Sequence, residues 1–328
     1  MITTDRKVSE LNQAHKLVLN GREVSEFALS DMSLEESVDR IYGKLSAGFF
    51  WIDETNARLK VDVGMRLQLI YGGKELFDGI IFTVTYNDDY TINVVAYNHG
   101  IYYAKNYVNK TFKKAKGSGI IRTIINDAGL PSASVVDTGY VIPEYVAESK
   151  TVQDVIYEVL EISESQTGNR FYPLLRSNKL VIAKYVKPPY AIVISETDNM
   201  IAVTKEVSIE NLANHITVIG GNKDKPTTVV ESDAESIKKY GRMQMVDNVD
   251  EKAKPSHARD RAKALLKENK DPETTVDITA IGHYGVRAGT SILVEETRTG
   301  SAGEYVVESV THSVNKTDHT MSLKLRAV

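Results

Sequence analysis

The sequence predicts a mainly β protein with an α/β insert: two similar antiparallel β-barrel domains plus a small α+β domain between them. Three observations carry this. Apolar residues alternate with period two through most of the chain, glycine-bearing dipeptides sit between the alternating runs, and two strongly periodic helical stretches are confined to the middle.

In HKLVLNGREVSEF, Asn20 and Gly21 form the pair preferred in a two-residue type I′ turn, whose central residues both need positive φ, so a hairpin is expected. SLEESVDRIYG carries a capping-box pattern, with Ser33 as N-cap and Glu36 at N3. Leu34, Val38, Ile41 and Tyr42 follow at helical spacing and Gly43 marks a stop, which predicts a short helix. LQLIYGGKELFDGIIFTVTY, residues 67–86, reads as two strands joined at Gly72 and Gly73. Leu67, Leu69 and Tyr71 share one face of the first; Ile80, Phe82, Val84 and Tyr86 share one face of the second. Gly79 inside the second strand suggests a bulge or sharp coil, the device that closes a sheet into a barrel. Asp88-Asp89 is the loop leading to a further strand, YTINVVAYN. Residues 1–100 therefore form the first expected barrel, with a helix tucked against it.

From 101 to 187 the pattern is mixed. SGIIRTIINDAGLP places Ser118 as N-cap, Ile121, Ile124, Ile125 and Ala128 on one helical face, and Gly129 and Pro131 as stops. TVQDVIYEVLEISESQTG carries the stripe Val152, Val155, Ile156, Val159 and Leu160. RFYPLLRSNKLVIAKY is a hairpin through Ser177-Asn178, and Pro188-Pro189 marks the boundary of the insert. Residues 188–328 form the second expected barrel, from IAVTKEVSI, NHITVIGG, TSILVEE, EYVVESVTHSVN and HTMSLKLRAV. The last strand alternates Met321, Leu323, Leu325 and Ala327 against Ser322, Lys324 and Arg326, one face buried and one wet. A helical insertion is expected around 233–270, where Pro255 suits N1 and Ala258, Ala262, Leu265 and Leu266 form the stripe. Gly241 and Gly289 read as turn or cap positions.

Composition narrows function. At 328 residues the chain can bury two or three cores unaided. A net charge of -4 gives no general affinity for phosphate backbones or acidic membranes. Zero cysteines exclude thiol catalysis and disulfide scaffolds and fit a reducing compartment. The first residues, charged at Asp5, Arg6, Lys7 and Glu10, lack a signal peptide's apolar stretch, and no apolar run reaches membrane-spanning length. Synthesis in the cytoplasm is the expectation.

Chemistry is sparse. The seven histidines, His15, His99, His215, His257, His283, His312 and His319, contain no i, i+4 zincin pair. His312 and His319 flank an expected turn and read as cross-strand neighbours. The doublets Glu35-Glu36, Asp53-Glu54, Asp88-Asp89 and Glu295-Glu296 cannot each form a catalytic dyad, because neighbours in a strand face opposite ways. KGSGII lacks the features of a phosphate loop. KNYVNKTFKKAKG, with Lys105, Lys110, Lys113, Lys114 and Lys116 among Tyr107 and Phe112, reads as a solvated loop or protein interface, with single-stranded nucleic acid as the competing reading. The 17 tyrosines favour interface building. No catalytic, cofactor or metal residues are assigned.

Several segments together resemble a known family: VVAYNHGIYYAKNYVNKTFK, VSIENLANHITVIGG, KKYGRMQMVDNVDE with ARDRAKALLKEN, GVRAGTSILV, and YVVESVTHSVNKTDHTMSLKL. They look like the XkdQ/YqbQ-like baseplate hub proteins of contractile phage tails and tailocins, similar to the tube domains of the VgrG and phage tail hub superfamily. The resemblance implies a non-enzymatic homotrimer whose six barrels join a sixfold tail tube to a threefold spike. It implies as partners the tail tube protein, the spike protein, baseplate wedge and LysM-type or tape-measure proteins, and no cofactor, membrane or specific nucleic acid. It places the finished protein in the baseplate of a virion or tailocin and leaves no length for a fused lysozyme or needle. The competing expectation is a cell-wall carbohydrate-binding or peptidoglycan-hydrolysing tail module, with carboxylates such as Asp53 and Glu295 converging on a cleft.

Overall fold

The computed structural model describes residues 15–51, 58–184, 192–220, 227–249, 255–315 and 318–327. Alternation of buried and exposed side chains produces the opening strands. β1 (His15–Leu19) buries His15, Leu17 and Leu19 and turns through Asn20 and Gly21, at φ +46° and +84°, into β2 (Arg22–Glu23). β3 (Ala28–Ser37), β4 (Lys44–Phe50), β5 (Arg66–Tyr71), β6 (Lys74–Tyr86) and β7 (Thr91–Asn98) follow. They lie antiparallel in the order β3-β4-β7-β6-β5-β1-β2. Leu17, Leu45, Phe49, Leu67, Ile81 and Ile92 form the heart of their core.

The helix expected at Ser33 does not form. Ser33 lies in β3, opposite Ser46 of β4, and only Leu34 of the supposed stripe enters this core. A ten-residue helix is marginal alone, whereas a strand there gains hydrogen-bonded ladders on both edges. Ile41, from the same stripe, joins a different core.

Gly72 and Gly73, at φ +55° and +77°, turn β5 into β6 as their pattern requires. Gly79 is paired on both sides, with Leu67 and Asn98, so it is not itself a bulge. The ladder slips instead near Leu69/Ile70 and between Ile81 and Thr83. The second slip reverses the facing of the strand: Phe77, Gly79 and Ile81 point to the core and Val84 packs against it, so the expected common face of Ile80, Phe82, Val84 and Tyr86 is broken.

Next come α1 (Ile101–Lys105), β8 (Tyr107–Lys116), α2 (Gly117–Asp127), β9 (Ser132–Val135), β10 (Val141–Thr151), α3 (Val152–Thr167), β11 (Phe171–Arg176) and β12 (Lys179–Lys184). β8 pairs with β10, and β11-β12-β9 make a three-stranded sheet. The stripe of α3 is buried as predicted, and the helix begins with a capping box in which Thr151 and Asp154 satisfy each other's backbone N–H groups. Gly168, at φ +67°, ends it. Ser118 is not a cap: the helix starts at Gly117, and the Ser118 N–H donates to Thr138 Oγ1 at 3.0 Å in a buried site. Ser177 and Asn178, both at positive φ, make the β11–β12 turn. The Pro188-Pro189 boundary lies outside the described residues.

β13 (Ile192–Ser195) and β14 (Met200–Ser208) lead toward a separate compact unit spanning 204–276. Within it, β15 (His215–Gly220) lies between β16 (Thr227–Ser232), antiparallel, and β17 (Gln244–Asn248), parallel. α4 (Ala234–Tyr240) ends at Gly241, φ +84°, and α5 (Pro255–Asn269) buries Ala258, Ala262 and Leu265 against Ile216 and Val218. NHITVIGG therefore belongs to this unit's own sheet and not to a second barrel that merely carries a helical insertion. Its inward alternation is the same in either setting, so periodicity alone could not tell them apart.

The chain returns through β18 (Glu273–Ile281), β19 (Ser291–Glu295), β20 (Gly303–Val314) and β21 (His319–Ala327). Gly289, at φ +83°, turns the segment before β19 and donates its N–H to Val307 O. β20 pairs with β21 along one edge. On the other edge residues 303–306 pair with β19 and residues 309–314 with β3. The change of partner falls at the irregularity between Val307 and Ser309. This strand fuses the two β regions into one 13-stranded sheet.

Candidate functional site

His15 heads β1 on the inward face and stands opposite Tyr71 of β5. His312 on β20 and His319 on β21 flank their connecting turn, and the two rings meet with Nδ1 and Nε2 3.1 Å apart. Tyr284, from the segment 282–290, stacks on His319 at 4.2 Å between ring centroids and lies 4.9 Å from His312. Its hydroxyl is 2.8 Å from His15 Nε2. β1 and β5 are remote from β20 and β21 in strand order, so contact between their rings means that the sheet curls until its parts meet. Side chains form this seam.

The proton positions follow from the partners. Val286 O, 2.9 Å from His312 Nε2, can only accept, so Nε2 carries hydrogen and the neutral ring's Nδ1 accepts; His319 Nε2 must then donate. Burial lowers the pKa of His312, and burial followed by the neighbouring His312, His15 and His283 lowers that of His319 to about 4. Both rings are neutral at pH 7. Next to them Arg287 grips Glu36 of β3 through two bonds, Nε to Oε2 at 2.6 Å and Nη2 to Oε1, fixing the 282–290 segment on the sheet. Gly282 lets this packing happen, since a Cβ there would strike the His319 ring.

Sequence reasoning paired His312 with His319 and missed His15 and Tyr284. The signal for His15 was its parity with Leu17 and Leu19. Three of the remaining histidines stay apart: His99 precedes α1, His215 on β15 has Nε2 2.9 Å from Arg242, and His257 lies in α5; His283, next to Tyr284, borders the cluster but is exposed and accepts from the Gly285 N–H. Among the described residues no group of three potential ligands is placed to hold a metal ion, and no helix is long and apolar enough to cross a membrane.

The carboxylates are engaged individually. Glu35 meets Arg40 and Lys44. Asp89 accepts from the Thr91 N–H and hydroxyl in the β6–β7 loop. Asp53 and Glu54 lie outside the described residues, so the pairing of Asp53 with Glu295 does too. An open groove of about 420 Å³ between β3, β4, β7 and β20 is lined by Asp31, Ser33, Ser46, Asn93, Ser313 and Asn315, with a single carboxylate among its lining residues. Gly117 of KGSGII packs where a Cβ would meet Ser163 Oγ at 2.7 Å, so it serves close packing of helices rather than a phosphate. In the basic strand β8, Lys110, Lys113 and Lys116 pair with Asp127, Glu144 and Asp137. The tyrosines divide: Tyr103, Tyr145 and Tyr157 are anchored by hydrogen bonds inside the fold, while Tyr86, Tyr90 and Tyr107 are exposed.

Glu296, which the sequence marks only as half of an acidic doublet, is buried. Its carboxylate accepts from the backbone N–H groups of Arg298, Thr299 and Ser301 and from the Thr299 hydroxyl. Those bonds, the Thr299 hydroxyl foremost, hold its pKa near 2. A depressed carboxylate stabilises the fold above the unfolded value of about 4.3 and loses that contribution as pH falls toward 2. Glu296→Gln should lower the urea midpoint at pH 7 and flatten its decline between those pH values; an unchanged profile would refute the assignment.

Comparison with known proteins places this curled antiparallel wall and its α/β insert among phage tail proteins. The YQBQ-like family matches residues 32–326, and the chain belongs to it. It is 27% identical over 253 residues to the phage-like element PBSX protein XkdQ of Bacillus subtilis (strain 168), covering 76% of this chain and 78% of that one. The 43 kDa tail protein of prophage MuSo2 from Shewanella oneidensis superposes with a TM-score of 0.72 at 15% identity, over 95% and 97% of the two chains. The E. coli c3393 protein, described as a type VI secretion component similar to T4 tail proteins gp27 and gp5, gives 0.59 at 10% identity over 95% and 77%.

Proposed function

We propose that the protein is the structural hub of a contractile-tail baseplate, a trimer whose β walls form a pseudo-sixfold ring between tail tube and spike. The observation that carries this is the likeness over nearly the whole of both chains to a prophage tail protein, together with a sheet that curls on itself through β20. Three copies of a chain with two non-identical wall regions can close a ring through heterologous contacts, which no single repeated patch is required to do. The ion pairs along β8 of the α/β insert engage three of its lysines with carboxylates, which speaks against phosphate-backbone binding by that basic strand. The two wall regions as separate barrels, and the tube, spike and wedge proteins as partners, form part of this reading. So do cytoplasmic assembly and the absence of enzymatic turnover. Native mass measurement, alone and with co-expressed tail proteins, should return three copies of this chain. A strictly monomeric protein missing from purified tail particles would refute it. Clearing of a cell-wall zymogram would favour the hydrolase reading instead.

A further inference from the structure

The ring cluster at the seam has an unusual construction. Backbone ladders hold each side of it, five paired residues between β1 and β5 and nine between β20 and β21. Across the seam the contacts described above run through His15, Tyr71, Tyr284, His312 and His319. Three of those five rings titrate near neutrality when free in water.

We propose that His15, His312 and His319, with Tyr284, form an acid-released latch that closes the seam while neutral and opens it on protonation, letting the ladder ends that it holds, in β1 and at the start of β21, fray. The hydrogen bond between the two histidines requires His312 to be neutral, with Nδ1 free to accept. A proton added to His312 Nδ1 meets the His319 Nε2 hydrogen, so two donors face each other and the acceptor is lost. A proton on His319 places a charge in a half-buried stack between Tyr284, His312 and His15.

Among the described residues, the groups facing the pair offer no unbound counter-charge. β1 contributes His15, β5 Tyr71, β20 and β21 the pair itself, and the 282–290 segment His283, Tyr284 and Arg287. β3 contributes Glu36, already bound on both oxygens by Arg287. Relief of an imidazolium therefore requires water, and water enters when the seam parts. The depressed pKa values place that event below the range in which surface histidines titrate.

Hydrogen exchange on the full chain, corrected for intrinsic rates, tests the latch at about pH 7.5 and about pH 4.5, with α3 as the internal reference. Amides of β1 and of the start of β21 should accelerate about tenfold or more at the lower pH while those of α3 do not. His319→Gln keeps a neutral donor near the Nε2 position and removes one titrating ring, so its seam should accelerate by far less. Seam and α3 accelerating together, or a variant opening as the parent does, would overturn the proposal. Should the variant fail to fold, carbon-detected titration of the parent's histidines decides. His312 and His319 titrating at about 6.5 without a coupled shift of the Tyr284 ring signals would overturn it equally.

Discussion

Gly79→Val should leave the chain without a stable N-terminal sheet, and Gly79→Ala should cost about 3 kcal/mol, the upper end for overpacking a core. Gly79 sits on the inward face of β6, and the ring of Phe77 folds across the space where its side chain would project. A Cβ there would lie 2.6 Å from that ring and closer still to the carbonyl oxygen of Tyr97 on β7. Phe77 could swing away only by leaving the core, where it is 4% exposed. Tyr97 O cannot swing, because it belongs to the ladder itself, so β6 and β7 must separate at the middle of the curled sheet. Gly21→Ala provides the contrast: a Cβ there meets nothing, and the cost comes only from φ +84°, about 1–2 kcal/mol. Urea unfolding followed by Trp51 fluorescence would rank the three variants. A Gly79→Ala protein as stable as Gly21→Ala would show that the close approach of β6 and β7 is not required.

The same region shows what could be read from the residues alone. Turns were legible because their cause is local: Asn20-Gly21, Gly72-Gly73 and Ser177-Asn178 all adopt the positive φ that their chemistry permits. The stripe of α3 was legible because sixteen residues repeat one period. The Ser33 helix was misread because a capping box and four residues at helical spacing are local signals. The competing strand is stabilised by β4 and β20, one of which arrives more than 270 residues later, as the pairing of Glu36 with Val310 shows. For the same reason the seam was half legible. His312 and His319 are seven residues apart and could be paired on paper, whereas the contact between His15 and Tyr284 spans 269 positions and depends on how far the sheet curls. The compact unit at 204–276 was not legible beyond its helical part because β15 alternates as a barrel strand would, and only its sheet partners, the parallel β17 among them, set it apart.

That long-range dependence makes β20 the most sensitive strand, and Thr311→Pro should be the most damaging single change outside the packed interior. Among the described residues β20 is the one strand that joins β1–β7 to the C-terminal strands by backbone pairing. Thr311 stands opposite Ser322 of β21 on one side and Glu35 of β3 on the other, beyond the point where β20 exchanges partners. Proline there removes an amide hydrogen from one ladder, and its ring obstructs the strand, which central positions do not tolerate. The loss should reach about 4 kcal/mol or more, the range of changes that break a buried network. Thr311→Val retains the N–H and the branched shape and should stay within about 1 kcal/mol of the parent. Exchange should resolve where the damage goes: protection falls in β3, β20 and β21, while α3, whose core includes no β20 residue, keeps most of its own. Uniform loss across α3 and the sheet would mean that the insert has no independent stability. Unchanged protection in β3 would mean that the join through β20 contributes little, and with it would go the physical basis for one continuous wall.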